Sequence, residues 1–183
     1  QSRGLGDVYK RQVKSLSFNN VDNLEIIKNI GIKNDRIFAF TNNLNLKDIE
    51  LIKNNPLKRE IYKFLSLKKY PELNQYNFLL EDNFLILEFE NKIILKTDID
   101  NQHEVKILCS KLEGILPNIN KINLLKDRVN PFFDTMPNKS ISLINLNSIK
   151  DFENLSNHQV EHERFRGNIS VSYTHLRAHE TDH

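Results

Sequence analysis

One cysteine, one methionine and no tryptophan stand in a chain of 183 residues. A single thiol excludes an internal disulfide framework and a cysteine-rich zinc site. No apolar run reaches the roughly 18 residues of a membrane-spanning helix, and the first residues lack the apolar core of a secretory signal. The expectation is an intracellular, cytoplasmic protein with no membrane partner. Charge of either sign is not in excess either: 26 Lys and Arg stand against 24 Asp and Glu, a formal net of +2. That balance gives no general reason to expect nucleic acid as a partner. What is present is ordinary for a globular protein, with 39% hydrophobic and 27% charged residues. The length suffices to bury a sizeable core, as one domain or two small ones.

The two ends differ from the middle. The body is crowded with Asn, Lys, Ile and Leu and poor in Ala, Gly and Arg, whereas residues 1–12 hold two of the five glycines. Residues 172–183 hold three of the six histidines. Both ends resemble peptides encoded when sequencing-adapter DNA is translated; the alternative is a pair of authentic disordered tails. On either reading they are set aside from the fold. His175 and His179 stand at i, i+4, a helical metal-binding spacing, yet no third ligand lies nearby in sequence.

Short periodic segments fill the body. Val13–Phe18 and Leu24–Ile27 read as short strands, and Asn34-Asp35-Arg36 introduces an aromatic-rich strand to Phe40. Residues 46–53 read as a helix ended by Asn54-Asn55-Pro56. The basic stretch from Lys47 to Lys69 is interrupted by Asp48, Glu50 and Glu60, which suits a solvated face. Residues 76–80, 84–89 and 92–96 read as a meander turning at Asp82-Asn83 and Glu90-Asn91. A helix follows from about Asp98–Asn101 to Leu116, with Cys109 on its apolar stripe as a small hydrophobe and His103 facing solvent. Lys121–Leu125 is strand-like, and Asn130-Pro131 breaks the pattern. Beyond it, Ser140–Ile144 reads as a strand, Asn145 or Asn147 as the cap of a helix carrying Ile149, Phe152 and Leu155, and Val160–Phe165 and Asn168–Val171 as strands.

Chemistry concentrates in Glu163-Arg164-Phe165-Arg166-Gly167-Asn168-Ile169. Arg-x-Arg beside a glycine suits a planar or anionic, oxygen-rich ligand, because guanidinium offers five donors in a rigid fork. The alternative is a strand end whose arginines pair in water with Glu161 and Glu163. The capped helix start at Asn145 and Ser148 offers backbone N–H groups to an anion, or merely satisfies its own helix.

Arg164-Phe165-Arg166-Gly167-Asn168-Ile169 resembles an Arg-Phe-Arg-x-Asn-Ile-like signature of the MOSC family, the domain named after the C-terminal part of molybdenum cofactor sulfurase. Gly167 stands where many members have proline. Ser142-Leu143-Ile144-Asn145-Leu146-Asn147-Ser148 is similar to the family's preceding strand-to-helix segment, to which Asp134-Thr135-Met136-Pro137 leads. Near the N-terminus, Lys14-Ser15 and Asp35-Arg36-Ile37-Phe38 resemble the first strand and a later strand start of the family's N-terminal domain. Tyr70-Pro71-Glu72-Leu73 is similar to its Pro-x-Leu turn.

The resemblance implies an α+β, predominantly antiparallel fold. It divides the chain into a small β-barrel-like N-terminal domain over residues 13–130 and the truncated beginning of a MOSC β-barrel over residues 131–171. It implies binding of the molybdenum cofactor (molybdopterin) by Lys14, Ser15, Arg36, Asn145, Ser148, Arg166 and Asn168. Their lysine, serine and arginines supply the point charge, hydroxyl and fork that a phosphate needs. The implied parent is a molybdenum-dependent oxidoreductase acting on N-hydroxylated or related compounds, with a small-molecule substrate and an electron-transfer partner. The family's metal-ligating cysteine lies beyond the Arg-Phe-Arg segment, so Cys109 does not match it, and weak or no cofactor binding and no reductase turnover are expected of this chain. A non-enzymatic sulfur carrier or ligand-binding module on the same fold is the alternative. A nucleic-acid-binding β-barrel fits less well, since no aromatic platform is interleaved with basic residues.

Overall fold

The computed structural model describes residues 5–133 and 140–172. The His175/His179 pair, the segment Asp134–Pro137 and nearly all of the 172–183 end lie outside the described residues. In chain order the strands are β1 (Leu5–Lys10), β2 (Asn19–Val21), β3 (Ile26–Ile27), β4 (Gly31–Ile32), β5 (Phe38–Phe40), β6 (Tyr76–Glu81), β7 (Phe84–Phe89), β8 (Lys92–Asp98), β9 (Leu124–Lys126), β10 (Leu143–Asn145) and β11 (Ile169–Val171). The helices are α1 (Leu46–Asn54), α2 (Gln102–Ile115) and α3 (Leu146–Ser156), with 3-10 turns at Pro56–Lys58, Ile61–Lys63, Pro71–Gln75 and His162–Phe165. The fold is α+β with mostly antiparallel sheets, and among the described residues the strands form open sheets. No described helix is long and apolar enough to cross a membrane.

The chain divides into two compact units. Among the described residues, the larger comprises Lys10–Asn19 and residues 25–133, and the smaller comprises residues 5–9, Asn20–Leu24 and residues 140–172.

In the larger unit the meander forms as its period-two pattern and turn residues dictate. β6 pairs antiparallel with β7 from Tyr76↔Phe89 to Glu81↔Phe84, and β7 with β8 from Phe84↔Asp98 to Phe89↔Lys92. The second hairpin turns at Glu90 and Asn91, both at positive φ (49° and 60°), the geometry that matches strand twist in a two-residue loop. Asn101 caps α2 by accepting from the His103 and Glu104 backbone N–H groups, and Leu108, Cys109 and Leu112 form the buried stripe. Burying such side chains contributes about 1.5–3 kcal/mol each.

β5 is buried along its whole length. Phe38 and Phe40 enter one core cluster with Phe78, Leu85 and Leu87, while Ala39 enters another with Ile52, Phe64 and Phe132. Strand alternation thus divides three consecutive apolar residues between two faces. β9 pairs antiparallel along one edge of β5, and Val13 makes a parallel bridge to Phe38 on the other.

Three local expectations differ from the structure. Val13–Phe18 is no continuous strand: after the Val13 bridge the chain folds back, the Leu16 and Ser17 N–H groups donating to Val13 O at 3.2 and 3.3 Å. Both Val13 and Leu16 are thereby buried. Residues 162–165 form a 3-10 turn instead of a strand, since Glu161-His162-Glu163-Arg164 offers no apolar alternation. The basic stretch is solvated at Lys53, Lys58, Lys68 and Lys69 but buries Arg59 and Lys63. The set-aside N-terminal end also takes part in the fold, because Leu5–Lys10 forms β1 beside β11.

The smaller unit is ordered β10-β11-β1-β2. β10 and β11 are parallel, from Leu143↔Ile169 to Asn145↔Val171, so α3 serves as the crossover between them. β1 pairs antiparallel with β11. α3 begins at the Asn145 cap and ends at Asn157 in the left-handed conformation (φ 53°). Of its expected apolar stripe only Ile149 is buried; Leu155 is 88% exposed.

Gly167 sits where β11 approaches the Ile144 side chain, and a Cβ there would lie 2.4 Å from Ile144 Cγ1. The same Cβ would come with the proline found at this place in the family that the segment resembles. Gly167→Ala is therefore expected to lower unfolding free energy by about 1–3 kcal/mol in urea titration, from overpacking. Trimming Ile144 to Ala in the same chain should recover part of the loss, which a double-mutant cycle measures.

Candidate functional site

Three of the residues singled out in the sequence are brought together in the larger unit. Residues 11–14 run alongside residues 36–38: Arg36 N–H donates to Arg11 O, Phe38 N–H to Gln12 O at 3.1 Å, and Lys14 N–H to Phe38 O at 2.8 Å. This pairing puts Lys14, Ser15 and Arg36 on adjoining backbone. Lys14 is 2% and Arg36 8% exposed, values rare for cations unless they are partnered. Lys14 Nζ lies 5.8 Å from the centre of the Phe64 ring. Arg36 is held on two sides. Its Nε and one terminal nitrogen each lie 2.7 Å from Asp35 Oδ2, and its guanidinium stacks 3.9 Å from the centre of the Phe133 ring. Asp35 is buried as well, and its Oδ1 accepts the Arg11 backbone N–H at 2.8 Å. Arg11 and Arg36 thus share a single buried carboxylate, Asp35, with Lys14 on the adjoining backbone.

The backbone here is unusual. Ser15 (φ 63°) and Arg36 (φ 52°) are both left-handed, a region few residues other than glycine, asparagine and aspartate adopt. In the smaller unit Arg166 is left-handed too (φ 51°), closing the His162–Phe165 turn with its N–H on Glu163 O at 2.9 Å. Among the described residues, the positive-φ positions that are not Gly, Asn or Asp are Ser15, Arg36, Glu90 and Arg166. Glu90 belongs to a hairpin turn; the other three are residues the sequence had marked for cofactor binding.

The remaining three marked residues lie in the smaller unit. Asn145 spends its side-chain oxygen on the helix cap, accepting Asn147 N–H at 3.1 Å, and Ser148 is exposed on the first turn of α3. Both line a pocket of about 340 Å³ whose other walls are apolar, among them Ile144, Phe152 and Phe165. Asn168 is fully buried and acts as a tie between strands. Its Oδ1 accepts the Ser142 hydroxyl at 2.9 Å and Ser142 N–H at 3.2 Å, and its Nδ2 donates to Tyr9 O at 3.4 Å. Its backbone carbonyl in turn accepts Tyr9 N–H at 2.8 Å. Asn168 therefore ties Ser142, at the start of β10, and Tyr9 of β1 to the start of β11.

No protein-family model, no curated protein and no solved structure matches this chain. The functional reading accordingly rests on its own residues.

Arg59, read in the sequence as part of a solvated basic stretch, takes a different place. It is buried, donates from Nε to Ile52 O at 2.9 Å, meets Asp127 Oδ2 at 2.6 Å, and stacks 4.4 Å from the centre of the Phe132 ring. A cation on the last carbonyls of α1 complements the helix dipole. Phe132 and Phe133 thus each carry a guanidinium, Arg59 on one and Arg36 on the other. The adjacent Phe-Phe pair was the available signal, since consecutive aromatics alternate faces and each presents a ring for a cation.

Among the described residues no group of His, Cys, Asp and Glu is arranged to hold a metal ion. Cys109 lies on the buried stripe of α2, and burial pushes its thiol up to about 11, helped by the charge of Glu113 and opposed by a hydrogen bond from the Leu124 backbone. Such a thiol is a poor nucleophile at neutral pH. Because the folded-state value lies above that of an unfolded cysteine, the contribution to stability is complete below about pH 8.5 and is lost as pH rises toward 11. Unfolding free energy is expected to fall by about 2–3 kcal/mol more across that window in the parent chain than in Cys109→Ala, measured by denaturant titration at stepped pH.

Proposed function

We propose that this chain is the molybdenum-cofactor-binding part of a MOSC-type oxidoreductase, the parent reducing N-hydroxylated or related nitrogen and oxygen compounds with the help of an electron-transfer partner. The observation that carries the reading is the left-handed backbone of two residues on adjoining backbone of the larger unit, Ser15 and Arg36; Arg166 in the smaller unit is left-handed as well. A left-handed residue other than glycine costs roughly 1–2 kcal/mol, and such strain persists where surrounding structure over-determines it, most often at ligand sites.

The chemistry of the donor set fits the group. Lys14 and Arg36 offer cationic donors and Ser15 a hydroxyl to a phosphate, in surroundings that exclude water from most of both cations. Arg166, with Asn145 and Ser148 in the same unit, offers donors and acceptors suited to the polar edge of a pterin. Asn168 ties the start of β11, just after Arg166, to Ser142 and Tyr9. The bound group would supply the redox chemistry through its molybdenum, while these residues bind and orient it. On this reading the sheets of the larger unit belong to a barrel-like N-terminal domain, and β10–α3–β11 opens a MOSC barrel. The buried thiol of Cys109 counts against a sulfur carrier that uses this chain's own cysteine, because persulfide transfer needs a reachable thiolate.

Two measurements test the reading. Fluorescence titration with isolated pterin cofactor should give weak, saturable binding and no reductase turnover by this chain. Arg36→Lys should weaken that binding about tenfold, since a point charge does not replace a fork held by Asp35 and Phe133. Ser15→Gly should raise unfolding free energy by about 1 kcal/mol while weakening the same binding, the signature of strain kept for a ligand. A flat titration, or a Ser15→Gly chain that binds as well as its parent, overturns the assignment.

A further inference from the structure

α1 and α2 flank a groove of about 560 Å³ in the larger unit, within the range of small-molecule sites and separate from the seven residues discussed above. Its floor is apolar, formed by Ile49, Cys109, Ile122 and Leu125, all buried in the fold. Its rim carries Lys53 from the last turn of α1 and Lys106 from α2. Both lysines are exposed, and neither belongs to the ion pairs formed among the described residues.

Of the polar side chains that line the groove, Glu113 and Asn123 are engaged, while Gln102 and Ser110 stand exposed. Glu113, its single carboxylate, accepts Ile122 N–H at 2.7 Å, and Asn123 Nδ2 donates to Thr41 Oγ1 at 3.4 Å. The groove therefore offers a ligand apolar contact along its floor and, at its exposed margin, the point charges of Lys53 and Lys106 with the polar groups of Gln102 and Ser110. Lysine suits that role because its ammonium is a compact charge on a flexible stem that can follow an anionic head.

We infer that this groove binds an amphipathic organic anion, an unbranched apolar chain ending in one carboxylate, with the head between Lys53 and Lys106 and the chain over Cys109. The site is independent of the cofactor reading, since none of its residues takes part there.

Decanoate, kept below its micellar concentration, is expected to bind the full chain saturably in isothermal titration calorimetry. Lys53→Glu combined with Lys106→Glu should weaken decanoate binding about tenfold and leave binding of decanol, the uncharged analogue, unchanged. Both lysines are solvent-facing, so the variant is expected to melt within a few degrees of its parent. Absence of saturable decanoate binding overturns the inference. So does equal binding of decanoate and decanol that survives the charge reversal, since the groove would then be an apolar surface without a head-group site.

Discussion

Burial of Phe38-Ala39-Phe40 on both faces is the constraint from which the larger unit follows. A strand covered on two sides must satisfy its backbone along both edges, because an unpaired buried N–H or carbonyl costs about as much as a lost hydrogen bond. β9 supplies one edge and residues 11–14 supply the other. The second edge is the consequential one. Once residues 11–14 lie beside residues 36–38, Lys14 and Arg36 are buried, Arg36 against Asp35 and the Phe133 ring and Lys14 over the Phe64 ring. The burial of these two cations is thus a by-product of how a fully buried strand finds its hydrogen bonds.

The same logic explains where strain collects. Ser15 and Arg36 flank this pairing and take left-handed conformations because the chain must turn sharply while keeping Val13 and Leu16 in the core. In the smaller unit, Arg166 turns the chain out of the His162–Phe165 turn into β11, and the packing of Ile144 against Gly167 leaves no room for a side chain at the next position. Two arginines of unrelated sequence context therefore occupy similar strained corners. The Arg36 guanidinium is clamped between Asp35 and Phe133, which fixes its orientation.

Much of the secondary structure was legible from local chemistry. The meander declared itself through period-two alternation and Asn or Asp at the turns, and α1 and α2 through apolar spacing bounded by capping asparagines. The candidate site was legible in part: Lys14, Ser15 and Arg36 adjoin, and Asn145 caps α3 beside Ser148. Asn168 was marked as a ligand contact and is also a structural tie, because an amide that could serve a pterin serves three strands equally well. Val13–Phe18 and residues 162–165 misled because alternation over so few residues does not separate a strand from a turn. Leu5–Lys10 was set aside with an end that resembles a translated adapter peptide, yet Val8-Tyr9 is a strong strand former and β11 offers an open edge. Arg59 was read as solvated because nothing near it in sequence announces Asp127 or Phe132.

By itself the sequence determined the elements whose causes lie within a few residues: caps, hairpin turns, the apolar stripe of α2 and the placement of its cysteine. Those rest on backbone geometry and on periods of two or 3.6, which neighbours in the chain dictate. Tertiary structure alone decided which cations are buried, which arginine meets which ring, and that β10 and β11 run parallel. Each of these is a contact between residues far apart in the chain, settled by the need to cover both faces of β5 and to pair every buried edge.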